Sequence, residues 1–217
     1  MSQPDHFMYG VPNRDEAMES IETLTGVRPS IGGSHRGKGT RNALLSLGDS
    51  VYLEIIAPDL EQDLTNNFGG FLRDLESPGL ITWCASHPNL VQAATDMKSL
   101  ELEPNGPTAW SRKDPEGNVL AWELLFINGH DLGTIVPFLI DWKNTPHPSG
   151  RTPKGCTIKS FELHSPELVV LRGILDTLGL KIPIKSAAVP AIDLTLNTPR
   201  GEVRLHAVNP LPSSVFF

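Results

Sequence analysis

One pattern of secondary structure occurs three times along this 217-residue chain, and it constrains the fold more than any other feature. Each copy begins with an apolar strand, continues into a helix, and ends with three more strands. The copies cover residues 5–58, 79–143 and, in a βαβββ-like form, 151–217. A unit repeated about every 75 residues indicates a fold built from equivalent modules. We therefore predict an α+β protein in which residues 1–150 form paired βαβββ modules and residues 151–217 a third module packed on the same domain.

The first helix has clear signals at both ends. Asn13 is a suitable N-cap before a helix predicted over residues 14–25, and Gly26 is a suitable stop. Apolar residues at three- and four-residue spacing predict the face that packs on the core. They are Ala17, Met18, Ile21 and Leu24.

Residues 27–58 contain the least ordinary part of the first module. A strand is predicted over residues 27–31, followed by a glycine-rich segment that contains His35. Two short apolar strands follow, and the second carries a single carboxylate, Glu54. An unpaired buried charge is too costly to keep, so Glu54 must lie at an edge, be paired, or face a cavity.

Composition and motif spacing argue against several classes of binding partner. The formal net charge is −7 and the chain has no basic patch, which argues against a nucleic-acid partner. No segment approaches the ~20 apolar residues of a membrane helix, and the first residues lack a signal-peptide pattern. Cys84 and Cys156 form no Cys-x-x-Cys pair, so we expect buried free thiols in a cytoplasmic protein. Residues 37–40 lack the spacing of a phosphate-binding loop, and no nucleotide cofactor is expected.

The sequence contains short motifs in addition to the repeated pattern of secondary structure. They comprise Asp5, His6, Gly32, Gly33, His35, Gly37, Gly39, Asn42, Gly48, Tyr52, Glu54, Pro58, Arg112, Pro115, Gly117, Trp122, Trp142 and His147. Together they resemble the glyoxalase-like domain group of the vicinal oxygen chelate superfamily, which includes glyoxalases, bleomycin-resistance proteins and dioxygenases. The resemblance implies a cupped mixed sheet around a cavity, with helices on the outside. It also implies a divalent metal in the cavity of many members.

The same resemblance implies where a metal would bind. His6 on the first strand and Glu54 on the last strand of the first module occupy the positions of two ligands, and His35 is the best third ligand. Imidazole and carboxylate groups suit Zn, Mn, Ni or Fe. The second module departs from the pattern, because Trp83 lies near the position of His6, and Ile140 or Asp141 near that of Glu54. His147 and Asp141 are the alternative third ligands.

Two functions follow, and both have a small-molecule ligand. The first is a metal-dependent lyase, isomerase or dioxygenase in which Glu54 and His35 are catalytic. The second is a metal-free protein that binds or sequesters an apolar or aromatic molecule. The side chains expected to contact the ligand are Asn42, Arg112, Trp83, Trp122, Trp142 and His147. The alternatives are backbone pairing for Asn42, solvated ion pairing for Arg112 and core packing for the tryptophans. The third module packs beside the first two or pairs across a homodimer.

Overall fold

The computed structural model describes residues 2–114 and 116–207 and has the α+β fold of three βαβββ modules. Pro115 and residues 208–217, the end of the predicted third module, lie outside the described residues. The first module contains β1 (Gln3–Gly10), α1 (Arg14–Thr25), β2 (Ser30–His35), β3 (Thr40–Ser46) and β4 (Tyr52–Pro58). After α2 (Phe68–Arg73), the second contains β5 (Gly79–Ser86), α3 (Leu90–Ser99), β6 (Glu103–Lys113), β7 (Val119–Asn128) and β8 (Phe138–Asp141). The third contains β9 (Thr157–Ser165), α4 (Leu168–Thr177), β10 (Ile184–Ser186), β11 (Ala191–Thr198) and β12 (Gly201–Leu205).

The first two modules share one eight-stranded sheet with the order β2-β3-β4-β1-β5-β8-β7-β6. The opening strands β1 and β5 pair antiparallel at its centre. Each opening strand also pairs in parallel with the last strand of its own module, β1 with β4 and β5 with β8. This arrangement confirms the predicted cupped mixed sheet built from repeated modules.

The two edge strands of this sheet, β2 and β6, meet each other across a seam. Arg112 of β6 donates a hydrogen bond from Nη1 to the carbonyl of Gly32 in β2, at 2.8 Å. The ammonium of Lys38 lies 4.1 Å from the ring centre of Trp110, also in β6. A Cβ on Gly33 would lie 2.7 Å from the Lys113 carbonyl, so only glycine permits this approach. The sheet therefore curls until its edges touch, and it encloses a cavity on its concave face.

The convex face of this sheet carries the main core. Helices α1, α3 and α4 pack there, and so do the strands of the third module, which form their own sheet in the order β10-β9-β11-β12. Phe161 of β9 meets the rings of Phe7 and Trp83 edge-on, with ring centres 4.7 and 4.9 Å apart. The third module thus covers the back of the cupped sheet and leaves its concave face to the cavity.

Local signals placed α1 correctly, with one correction on its core face. The side chain of Asn13 accepts hydrogen bonds from the backbone N–H groups of Asp15 and Glu16, and Gly26 ends the helix at a φ of 78°. Leu24 was predicted in the core but is 48% exposed, and Thr25 is buried instead. Each helical residue advances about 100°, so Thr25 lies closer than Leu24 to the direction of Ile21.

The strand predicted over residues 27–31 was placed too early. The strand β2 begins at Ser30 and runs through the glycine-rich segment to His35. Glycines favour turns in isolation, but here they allow two neighbouring strands to come close, and the pairing outweighs the local preference.

None of the described helices is long and apolar enough to cross a membrane.

Candidate active site

A cavity of about 340 Å³ lies on the concave face of the eight-stranded sheet. The polar side chains around Glu54 come from the first module, and most of the aromatic and aliphatic side chains come from the second. The polar side contains His6, His35, Asn42, Tyr52 and Glu54, and the apolar side contains Trp110, Trp122, Leu124, Phe126, Phe138, Ile140 and Trp142. A cavity of this size suits a small molecule rather than a macromolecule.

Three predicted residues converge at the polar end. His6 lies on β1, His35 at the end of β2, and Glu54 on β4, where Glu54 is only 6% exposed. The Nε2 atom of His6 lies 3.6 Å from Glu54 Oε2, and that of His35 lies 4.0 Å from Oε1. Among the described residues these two imidazoles are the only basic side chains within 4.0 Å of this carboxylate. The structure therefore brings the predicted set to one place.

Hydrogen bonds orient both imidazoles. Nδ1 of His6 lies 2.7 Å from a carboxylate oxygen of Asp5, which can only accept, so Nδ1 carries a proton, and in the neutral ring the lone pair is on Nε2. Nδ1 of His35 lies 2.9 Å from the Thr40 hydroxyl, and its Nε2 lies 3.5 Å from the Asn42 amide nitrogen, a donor. The hydrogen-bond network thus assigns an acceptor Nε2 to both rings, and both face Glu54.

Burial keeps the imidazole of His35 neutral. Its pKa lies below the ordinary value of 6.5, mainly because burial disfavours the charged ring. Glu54 acts in the opposite direction, and the positive charge of Arg112 adds to the lowering. At neutral pH His35 can therefore bind a metal or accept a proton.

Asp5 supports the site from behind His6. Its second oxygen accepts hydrogen bonds from the indole N–H of Trp142 at 3.0 Å and from Nε2 of His147 at 3.3 Å. Burial alone would raise the pKa of Asp5, but the bonds from His147 and His6 outweigh it and hold the pKa below 3.8. His147 also bonds to Ser149 through Nδ1 at 2.8 Å. The structure thus places His147 behind Asp5, rather than against a ligand or as a third metal ligand.

Asn42 fixes the carboxylate of Glu54. Its amide nitrogen donates to Glu54 Oε1 at 2.6 Å, and its oxygen accepts from the N–H of Gly33 at 3.0 Å. A Cβ on Gly32 would lie 2.2 Å from that oxygen, so the glycine pair leaves room for the amide. Tyr52 completes this end by stacking on His6, with ring centres 4.8 Å apart.

The second module supplies no matching polar pair, and Trp83 is a correction. Cys84, not Trp83, lies opposite His6 in the β1–β5 register, and its partner on β8 is Phe138. Trp83 points to the other face, is fully buried in the core, and donates to the Ile135 carbonyl at 2.8 Å. Successive side chains of a strand alternate between faces, so an error of one residue moves the side chain from cavity to core. Asp141 forms an ion pair with Lys143 at 2.9 Å and is not among the residues around Glu54.

The donor set fits a divalent transition metal in type. Two neutral imidazoles and one carboxylate are ligands that Zn, Mn, Ni and Fe accept, and Asp5 and Thr40 hold the outer nitrogens as supporting groups commonly do. Metal bonds of about 2.0–2.2 Å bring neighbouring ligand atoms to roughly 3 Å. The separations of 3.6 and 4.0 Å run to different oxygens of Glu54, so the carboxylate and the imidazoles must turn before one ion can contact all three side chains.

The set of His6, His35 and Glu54 is wider than two other groups of the described residues, whose ligand atoms all lie within 4.8 Å of one another. They are Asp5, His6 and Cys84, and Glu162, His164 and Asp193. In the first group, Asp5 already accepts three hydrogen bonds, and burial raises the pKa of the Cys84 thiol well above 9.0. In the second, Lys185 and Arg204 already pair with the carboxylates. Existing partners thus account for the charges of both groups.

Comparisons with known proteins agree with this fold. A family model described as "Glyoxalase-like domain" matches residues 5–179. A hypothetical protein from Staphylococcus aureus superposes with a TM-score of 0.67 at 17% identity, over 97% of this chain and 88% of that one. A hypothetical protein, BH1468, from Bacillus halodurans C-125 has a TM-score of 0.51 at 10% identity, over 67% and 97% of the two chains.

An enzyme is also among the structural neighbours. Methylmalonyl-CoA epimerase in complex with methylmalonyl-CoA and NH4+ has a TM-score of 0.50 at 15% identity, over 68% of this chain and 99% of that one. At these identities the structural matches establish the fold alone. No curated protein sequence matches the chain. The family match covers most of the chain, and the chain belongs to the glyoxalase-like domain family.

Proposed function

We propose that the cavity is the active site of a divalent-metal-dependent enzyme that acts on a small molecule. The reaction class is a lyase or isomerase step at a carbon next to a carbonyl, or a related dioxygenation. The observation that carries the proposal is the convergence of His6, His35 and Glu54 in one cavity, with an Nε2 acceptor on each imidazole.

Each residue has a defined task in this proposal. His6, His35 and Glu54 would hold Zn, Mn, Ni or Fe, and the bound metal would polarise a carbonyl or enediolate oxygen of the substrate. Asn42 keeps Glu54 Oε1 in place, so the carboxylate does not rotate away from the imidazoles. The rings of Trp122 and Trp142, with centres 5.4 Å apart, shield the apolar side from water.

Proton transfer uses the same group of side chains. His35 is neutral at neutral pH and lies beside Glu54, so its Nε2 accepts a proton from the substrate if it is not ligating. In a metal-free variant of the mechanism Glu54 takes this role, through Oε2, the oxygen that Asn42 does not bind.

Elemental analysis tests the proposal directly. Protein purified without chelator or metal-affinity resin is compared with His6→Ala and Glu54→Gln. We expect close to one metal per chain in the parent and loss of it in both variants. His164→Ala is the matched control, because His164 belongs to the other candidate group, with Glu162 and Asp193. Full metal content in Glu54→Gln, or loss in His164→Ala alone, would move the site elsewhere.

The apolar half of the cavity favours a second candidate function. Cys84, Phe138 and Ile140 stand where a matching set of second-module ligands would be expected. A metal-free protein that binds an apolar or aromatic molecule uses such a wall. The absence of metal after loading with Zn, Mn, Ni and Fe(II), together with ligand-induced quenching of tryptophan fluorescence without turnover, would support this function. Metal at one per chain would instead justify assays with 2-oxo aldehydes, hydroxy acids and catechols.

A further inference from the structure

Arg112 lies inside the cavity rather than in solvent. It is 7% exposed, on β6, and its side chain is part of the cavity wall. The alternative of a solvated ion pair is therefore wrong. Among the described residues no carboxylate lies within 4.0 Å of its guanidinium, and the partner that the structure gives it is the Gly32 carbonyl. A guanidinium has five N–H donors, so this single bond uses a small part of its capacity.

A buried guanidinium favours an anion in the same space. Arginine stays protonated in proteins, so it cannot escape the cost of burial by losing its charge. A backbone carbonyl supplies one partial negative charge and leaves the planar fork of donors open to a bidentate partner. The structure describes no protein anion in that position, and the cavity is where a ligand would supply one.

The position of Arg112 relative to Glu54 restricts the shape of such a ligand. The Gly32 carbonyl binds Arg112, the N–H of the next residue, Gly33, binds Asn42, and Asn42 binds Glu54. The cation is therefore separated from the reactive end of the cavity by a single glycine pair and one amide. Arg112, His35 and Glu54 line the same cavity, so a ligand whose anionic group binds Arg112 shares the space that these two residues face.

The rest of the wall determines what the remainder of the ligand must be. The cavity is also lined by rings, with Trp122 against Trp142 and Phe126 stacked on Phe138 at 5.3 Å. Further polar side chains line it too, namely Lys38, Asn66, Asn67, Asn105 and Thr108. Aromatic walls bury apolar or ring-bearing groups and exclude strongly hydrated ones. The cavity thus combines the cationic side chain of Arg112 with an aromatic surface.

We propose that the ligand of this cavity is a small carboxylate with an aromatic or apolar body, and that Arg112 is the residue that selects its carboxylate. The body lies against Trp122 and Trp142, and an oxygen next to the carboxylate lies beside Glu54. The inference rests on the proposed function in taking this cavity as the substrate site. It does not depend on a metal.

A pair of ligands tests the inference without any change to the protein. Phenylacetate and phenylacetamide have the same size and ring, and they differ in charge. Binding is followed by calorimetry and by tryptophan fluorescence, since Trp110, Trp122 and Trp142 line the cavity. We expect the carboxylate to bind at least about tenfold more tightly, as a charge-assisted bidentate contact predicts. Equal affinities, or no binding of either ligand up to about 10 mM, would overturn the proposal.

Substitutions then assign the preference to one residue. Arg112→Gln should abolish the preference for the carboxylate, and Arg112→Lys should retain part of it, because a single ammonium cannot make the bidentate contact. Arg28→Gln is the control, since Arg28 is exposed and paired with Glu22. A tenfold preference that survives in Arg112→Gln refutes the assignment. If Arg112→Gln fails to fold, the ligand pair on the parent protein still decides, and metal content remains an independent measure of the proposed function.

Discussion

Replacing Asp5 by Asn tests how the site is held together. The carboxylate accepts hydrogen bonds from His6 at 2.7 Å, Trp142 at 3.0 Å and His147 at 3.3 Å. An amide of the same shape has one oxygen to accept and one nitrogen that only donates. The oxygen can serve Trp142 and His147, which leaves the NH₂ group facing Nδ1 of His6. The imidazole must then move its proton to Nε2, and the lone pair that faces Glu54 is lost.

The magnitudes follow from the number and type of these bonds. Hydrogen bonds to charged groups contribute about 1.5–3 kcal/mol each, and two of the three survive in weaker, neutral form, so we expect a loss of roughly 2–4 kcal/mol in the free energy of unfolding. Removing a group that orients a metal-binding imidazole lowers metal affinity by roughly 10- to 100-fold. Urea unfolding measures the first effect and competitive metal titration the second.

The effect of Asp5→Asn depends on pH in a defined direction. The pKa of Asp5 in the folded protein lies below 3.8, so in acid the unfolded chain binds the proton first. The ionised carboxylate therefore stabilises the fold above this value, and the contribution is lost as the pH falls through the folded pKa. The stability difference between parent and variant should be full near pH 7 and shrink below 3.8. Asp49→Asn, at an exposed position, is the control. A difference that does not change with pH, or unchanged metal affinity, would refute the reasoning.

Three further predictions concern the seam, the third module and His35. Gly33→Ala places a Cβ 2.7 Å from a backbone carbonyl of β6 and should cost about 1–3 kcal/mol in urea unfolding, whereas Gly173→Ala, in α4 with open space around it, should stabilise by about 0.5–1 kcal/mol. Phe161→Ala removes the ring that packs on two aromatic rings of the larger sheet, and we expect a loss of roughly 2–3 kcal/mol in the free energy of unfolding. A loss below about 1 kcal/mol would mean that this contact of the third module contributes little to stability. Because burial lowers the pKa of His35, its imidazole stays neutral as the pH falls past 6.5, and metal content measured after dialysis should persist below that pH; release centred above 6.5 would contradict this.

Much of the fold follows from patterns that lie close together in the sequence. The alternation of strands and the Asn13 and Gly26 signals predict the modules, and the resemblance to glyoxalase-like domains implies that His6 and Glu54 meet. His35 and Asn42 lie in the same module, so their approach to Glu54 depends on short connections. Such local and repeated features are the ones that a sequence expresses directly.

Other parts of the site depend on details that alternation does not contain. Asp5 and His6 are consecutive, and a regular strand would point them to opposite faces. The β1–β5 register shifts between Pro4 and His6, and this irregularity accompanies the contact of the two side chains. The exchange of Trp83 for Cys84 opposite His6 has a similar origin, because only the register of β1 on β5 decides which of the two residues pairs with His6. Arg112 becomes part of the cavity through closure of β6 onto β2, which joins residues 80 positions apart.

The seam between β2 and β6 has a consequence for how the protein behaves in concentrated solution. An open sheet ends in rows of unpaired N–H and C=O groups, which can pair with another chain and start aggregation. The edge of the 11-residue strand β6 would be long enough to pair with another chain in this way. That edge instead lies against β2, where Arg112 binds the Gly32 carbonyl and Lys38 contacts the Trp110 ring. Substitutions that open the seam, such as Gly33→Ala, therefore expose the unpaired backbone groups of both strands at once. The glycine pair Gly32 and Gly33 thus supports resistance to self-association as well as the shape of the cavity.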